Sequence, residues 1–169
     1  YFKLQSFIYM PANGIVQGMR PIIGYNYGAG EHKRVKTTIR YSLLCAAGLM
    51  LLGTLLALLI PARIFSLFNA EQELLDAGVI ALRIICLGFL VSSIGIIYSG
   101  TFEALGMGRH SLIISLLRQF LVTIPLSFLL SFGLGPVGVW ISFPAGEIAA
   151  AVVAFFLLRH YQGGVYSPL

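Results

Sequence analysis

Glu147 lies near the middle of an apolar stretch, residues 137–158, directly after Pro144, Ala145 and Gly146. A carboxylate in such surroundings binds a cation, carries a proton or pairs with a buried base, because an isolated charge in hydrocarbon is costly. Arg118, some way into the preceding apolar stretch, is the natural partner, with a side chain long enough to reach inward. Pairing holds the carboxylate ionised and argues against a proton-carrying role, whereas burial without a partner favours one. The sequence leaves both readings open. A second set of polar residues, Gln5, Tyr9, Asn13, Gln17 and Arg20, recurs at spacings of four, four, four and three. On a helix these fall on one broad face. Such a face either lines a water-filled passage for a polar substrate or ion, or forms a hydrogen-bonded seam between helices.

Other arrangements that resemble chemistry are weaker. Gly133-Leu134-Gly135-Pro136-Val137-Gly138 has the spacing of a dinucleotide-binding loop, but it has no preceding strand and no suitable acid downstream, so it is predicted to be a turn. His32, His110 and His160 fall in separate loops without helical pairing, which argues against a metal site. No nucleophile-and-base spacing is present, so no catalytic residues are assigned and an enzyme is not expected. Cys45 and Cys86 both sit in apolar runs and suit packing better than a disulfide or a metal. No cofactor is implied.

The elements that must position these residues follow from composition. Of the 169 residues 58% are hydrophobic and only 10% charged, a balance that a soluble domain of this size does not cover with polar surface. The net charge of +5 resides at the ends of apolar runs, which fits loop charges setting membrane topology rather than a nucleic-acid partner. The fold class expected is therefore an all-α integral membrane protein, a bundle of about five transmembrane helices. These are placed at residues 4–28, 37–60, 79–105, 111–132 and 137–158, with the glycine-rich turn splitting the last two. Pro11 and Pro21 predict a kinked or partly unwound first helix. Gly14 with Gly18, and Gly24 with Gly28, have a spacing that permits close helix approach. Residues 61–78 read as an outer interfacial connector, residues 161–169 as a disordered cytoplasmic tail.

Charge orders the two sides. Lys33, Arg34, Lys36, Arg40, Arg109 and Arg159 share one side; Lys3, Arg63 and Arg83 share the other with Glu71, Glu73 and Asp76. The positive-inside rule puts the first side, and the C-terminus, in the cytoplasm. Glu103, near a helix end on that side, reads as a solvated or capping residue. The opening Tyr1 and the odd span count are expected of a fragment.

Gly14-Ile15-Val16-Gln17-Gly18-Met19-Arg20-Pro21, continuing through Gly24-Tyr25-Asn26-Tyr27-Gly28, resembles the second helix of the C-terminal lobe in the MATE family of multidrug and toxic compound extrusion transporters. Glu103-Ala104-Leu105-Gly106-Met107-Gly108-Arg109 is similar to the end of that lobe's fourth helix. Arg118-Gln119, Ile124-Pro125-Leu126, Gly138-Val139-Trp140 and Pro144-Ala145-Gly146-Glu147 resemble its last two. The resemblance implies most of one six-helix lobe, without its first helix and without the N-terminal lobe. It further implies a multi-pass protein of the cell inner membrane that exports cationic amphipathic drugs by antiport with Na+ or H+. Gln5, Tyr9, Asn13, Gln17, Arg20, Arg118 and Glu147 then become candidates for its substrate or ion cavity. A related flippase for lipid-linked precursors, or a non-transporting membrane scaffold, are the alternatives. Many family members carry an acid midway along the fourth lobe helix, yet residues 92–95 hold none here, and Glu147 stands where relatives often have Asp.

Overall fold

A computed structural model describes residues 2–61 and 72–165, with side chains described over 9–61 and 77–161. Most of the expected connector at 61–78, the last four residues and the side chain of Gln5 therefore lie outside the described portion. Every described element is helical: α1 (Phe2–Gly28), α2 (His32–Leu59), α3 (Gln72–Cys86), α4 (Phe89–Ala104), α5 (Gly108–Leu116), a π turn (Leu117–Leu121), α6 (Thr123–Leu134) and α7 (Pro136–Val165). Relative to the expected spans, the differences lie in where helices break.

The third span is two helices, α3 and α4, meeting at a bend of 52°. The bend falls at Gly88, where a Cβ would come within 3.0 Å of the Cα of Pro144 on α7. The Thr54 hydroxyl of α2 lies 3.2 Å from the Cys86 carbonyl oxygen, within donating reach of a group at the helix break. In the fourth span the Val122 amide donates to the Leu117 carbonyl, which widens the turn around Arg118. Pro125 lacks the amide that would return to Leu121, so the regular ladder fails here and the chain adds a residue to the turn. The Thr123 hydroxyl donates to the Arg118 carbonyl at 2.7 Å and satisfies it. By contrast α1 runs unbroken through Pro11 and Pro21, so the expected partial unwinding is not found.

Among the described residues α2, α7 and the continuous run of α5, π turn and α6 are each long and apolar enough to cross a membrane, and the bent pair makes four. α1, at 27 residues, is long enough but misses that apolarity because of its polar ladder. Instead α1 buries Val16, Met19 and Ile23 against Val35, Ile39 and Met50 of α2 and against Ile97 of α4. A second cluster joins Phe102 and Ile114 to Ala150, Ala154 and Leu158 of α7. α4 thus forms the spine to which α1, α2 and α7 are all attached.

Small residues set these distances, though not those the spacing suggested. A Cβ at Gly14, Gly18 or Gly28 would meet nothing within 4 Å, and Gly24 only grazes the Ala104 carbonyl at 3.5 Å. The tight contacts are elsewhere: a Cβ at Gly138 would lie 2.3 Å from the Leu130 carbonyl oxygen, and one at Gly146 would lie 2.2 Å from Thr123 Oγ1. The Gly133–Gly138 motif is thus a turn, with Gly135 at φ +57°, that lets α6 and α7 close on each other. Replacing Gly146 by Val should overpack the π turn and lower stability by about 2 kcal/mol. Gly48→Ala, with open space around it, should leave stability at or above wild type. Thermal unfolding of the full-length protein in detergent checks the contrast; equal midpoints for the two variants would mean that α7 and the π turn are not packed as described.

Candidate functional site

Glu147 is carried by α7 and meets groups from two other elements. Its Oε1 accepts a hydrogen bond from the Tyr9 hydroxyl of α1 at 3.2 Å. The same oxygen lies 4.0 Å from Nε of Arg118, which the π turn carries. The Ser92 hydroxyl of α4 lies beside Tyr9, and the Tyr9 ring meets Phe89 edge-on at 5.8 Å between centroids. Side-chain exposure is 12% for Glu147 and 22% for Arg118, so both charges are largely withdrawn from solvent. Oε2 of Glu147 is buried and has no hydrogen-bond donor among the described residues.

The sequence reading of a Glu147 and Arg118 pair is therefore met in a loose form. At 4.0 Å, and through Nε only, the guanidinium is at the edge of contact and does not form the two-pronged bond that a tight ion pair makes. One carboxylate oxygen carries both partners while the other, among the described residues, carries neither. Such an arrangement retains an accepting position in a place with little water. It can take a proton or a cation at Oε2 without giving up the Tyr9 bond.

A second polar cluster lies further along α1. Arg20 bonds Glu103 of α4 through Nη2. Glu103 accepts from the Ser111 hydroxyl of α5 at 2.7 Å, and Ser111 shares a further hydrogen bond with Ser99 at 2.7 Å. Glu103 lies exposed near the end of α4, as expected from its position, and it also joins three helices. The contact with Ser111 follows from how α5 folds back after Gly106, at φ +75°, and has no counterpart in spacing.

Asn13 and Gln17 are exposed on α1 between these clusters. The eleven residue steps from Tyr9 to Arg20 span about 16 Å of helix, so the polar face runs as a strip from one carboxylate to the other. The open flank of that strip is also where Gly14 and Gly18 leave space. Apart from Gln5, whose side chain is not described, each candidate on α1 lies on this strip. Arg118 and Glu147 meet its Tyr9 end.

Comparison with known proteins agrees with this architecture. Residues 1–129 match the MatE family. The multidrug export protein MepA of Staphylococcus haemolyticus is 27% identical over 157 residues, covering 93% of this chain and 34% of that protein. MepA of Staphylococcus aureus is 25% identical over the same share. Among solved structures, the MATE multidrug transporter DinF-BH superposes with a TM-score of 0.87 at 31% identity, covering 98% of this chain and 37% of that one. A MOP superfamily transporter from Pyrococcus furiosus shares the fold with a TM-score of 0.92 at 22% identity, covering 99% of this chain and 38% of that one. The chain spans about a third of the length of the curated relatives it matches. A helical bundle with apolar spans, a polar strip along one helix and a match over most of its length place this multi-pass membrane chain in the MatE family.

Proposed function

We propose that this chain forms most of one lobe of a secondary active multidrug exporter, which moves cationic amphipathic compounds outward in exchange for Na+ or H+. The observation that carries the reading is Glu147: a carboxylate deep in an apolar bundle, with one oxygen held and the other without a donor among the described residues. A sodium ion, a proton or the charged group of a drug gains from that oxygen, while the apolar walls suit the rest of an amphipathic molecule.

Coupling follows from which elements meet there. Tyr9, Arg118 and Glu147 belong to α1, the π turn and α7. Neutralising the carboxylate removes what draws Arg118 toward it, and this weakens one link among three elements. A ligand that binds better in one arrangement of those elements shifts the balance between outward-open and inward-open states. The exposed strip of Asn13 and Gln17 serves as the polar wall of the passage, and the remainder of a full-length transporter supplies the facing wall. Charge also bears on the substrate. Arg20 and Arg118 each lie beside an acid, so the strip is not net basic; this favours cations over the anionic lipid-linked precursors that a flippase carries. The predominance of Lys and Arg at one end supports a cytoplasmic C-terminus by the positive-inside rule.

In cells stripped of their own drug pumps, the full-length protein carrying Glu147→Gln should export an aromatic cationic dye at least about tenfold more slowly than wild type and lose its dependence on the driving ion gradient. Gln17→Ala should have a milder effect, of a few-fold. Unchanged export and ion dependence in both variants would remove these residues from the mechanism. Separately, cysteine placed at residue 17 should react with a membrane-impermeant maleimide in at least one transport state. Failure to label in every state would mean that the α1 strip is a sealed seam.

A further inference from the structure

The break between α3 and α4 is held in part by side chains where a continuous helix would use its own amides. The Leu87 amide donates to the Ile84 carbonyl at 3.4 Å and the Gly88 amide to the Ile85 carbonyl at 3.0 Å, three residues back rather than four. The Arg83 carbonyl, which Leu87 would reach in a regular helix, accepts instead from the Cys86 thiol at 3.2 Å. The Cys86 carbonyl has the Thr54 hydroxyl of α2 within reach. A thiol or hydroxyl hydrogen rotates to follow a partner that moves, whereas a ladder of amides fixes the direction of the chain. Over the described residues α3 packs chiefly on α7 and α2 and has little contact with α4. The 52° bend is therefore set by what lies against the break.

Two contacts there lead to Glu147. Gly88 rests on Pro144 of α7: a Cβ at Gly88 would stand 3.0 Å from the Pro144 Cα and 3.3 Å from its Cβ, so the helices meet with no side chain of residue 88 between them. Pro144 precedes Glu147 by three residues and shares its side of α7. The next residue after the break, Phe89, is buried and meets the Tyr9 ring edge-on at 5.8 Å, and Tyr9 donates to Glu147. Gly88, Pro144, Glu147, Tyr9 and Phe89 thus close a ring of contacts through α7, α1 and the start of α4. Among the described residues the charged and titratable groups facing the acid are Tyr9 of α1 and Arg118 of the π turn, and α4 adds the Ser92 hydroxyl beside Tyr9.

We propose that this break is a hinge: Gly88 is its pivot on α7, and Phe89 is the positioning residue that ties the angle of the bend to the charge on Glu147. The inference rests on the reading of Glu147 as the coupling acid. While the carboxylate is ionised, its bond from Tyr9 is charge-assisted, and this pins the Tyr9 ring and with it the first turn of α4. A proton or a cation on Oε2 weakens that bond. The Tyr9 ring then yields to Phe89, and α3 turns on Pro144 while α4 stays fixed by α1, α2 and α7. Ile80 of α3 lies eight residues before Gly88, about 12 Å along the helix, so a change of about 20° in the bend moves it by roughly 4 Å.

Distances measured by pulsed electron spin resonance on the full-length protein in lipid nanodiscs provide the test. Spin labels are carried by Ile80→Cys on α3 and Leu112→Cys on α5, both exposed positions, with Cys45 and other accessible cysteines replaced by Ser and the buried Cys86 retained. Measurements are made at acid and at alkaline pH, each with and without Na+. With Glu147 present the distance should move by roughly 4 Å in the condition that loads the acid, and with Glu147→Gln it should hold one value throughout. Phe89→Leu, which keeps an apolar side chain in the core, should cut the shift to less than about half and slow dye export about threefold without changing the dye concentration that gives half the maximal rate. Gly88→Ala, whose methyl would press on Pro144, should narrow the shift in the same way. No shift in any condition, with export still dependent on Glu147, would overturn the hinge and leave the reading of Glu147 standing. A full shift with Glu147→Gln or with Phe89→Leu would also overturn it, since the bend would then move independently of the acid or of the ring. Export that ignores Glu147 altogether would remove the reading on which the hinge rests, and the hinge with it.

Discussion

A carboxylate withdrawn from water inside a bundle of apolar helices is the constraint on which the rest of this structure turns. Glu147 cannot be solvated where it lies, so its charge must be met by groups that other helices deliver. Tyr9 and Arg118 do this from α1 and the π turn, and the local geometry of both elements follows from the need to reach it. The widened turn at Leu117–Leu121 carries Arg118, and the absence of a side chain at Gly146 lets that turn sit against α7 one residue before the carboxylate. A larger residue at 146 would push away the element that carries the counter-charge. Packing and electrostatics are thus solved at the same place.

The two ion pairs on the strip differ in kind because their surroundings differ. Arg20 and Glu103 keep 43% and 37% of their side-chain surface, so water screens them and their mutual attraction contributes little, about 0–1 kcal/mol for pairs of this sort. Their value is positional: through Ser111 they tie α1, α4 and α5 together near one end of the bundle. Arg118 and Glu147 are far less exposed, so each charge depends on the other and on Tyr9 for what water would otherwise supply. A switch is better built on the second pair, since altering one charge there alters the energy of everything that faces it.

Much of this was legible in the sequence because membrane proteins separate their signals cleanly. Apolar runs gave the helices, and the four-residue recurrence from Tyr9 through Gln17 gave a polar face that the structure retains. Glu147 and Arg118 stood out because charges in such runs are rare. What could not be read was local geometry. The bend at Gly88 depends on where Pro144 of α7 happens to pass, and the π turn depends on both Pro125 and Thr123. The spacing of Gly14 and Gly18 pointed to close packing that their open surroundings do not show, while Gly138 and Gly146, in no such pattern, make the tightest approaches. Close approach is a property of two helices at once, and a one-dimensional pattern records only one of them. The bond between Glu103 and Arg20 was not legible for the same reason: Arg20 comes from α1, 83 residues away.

The arrangement also explains why α1 can be the least apolar of the long helices. A helix facing lipid all round must hide its polar side chains or lose several kcal/mol for each. α1 turns Val16, Met19 and Ile23 into the core and leaves Asn13, Gln17 and Arg20 exposed on the other side, with Arg20 bonded to Glu103 of α4. A polar side of this length is tolerable in a membrane only if something other than hydrocarbon lies against it, either water or another polar protein surface. α2 and α7 show the opposite economy, with Leu44, Leu51, Leu55, Phe155 and Phe156 exposed on surfaces suited to lipid. The bundle is therefore sided: one flank is made for hydrocarbon, and the flank bearing the strip is made for an aqueous or polar neighbour. It is toward that second flank that Tyr9 leads, and through Tyr9 that Glu147 is joined to it.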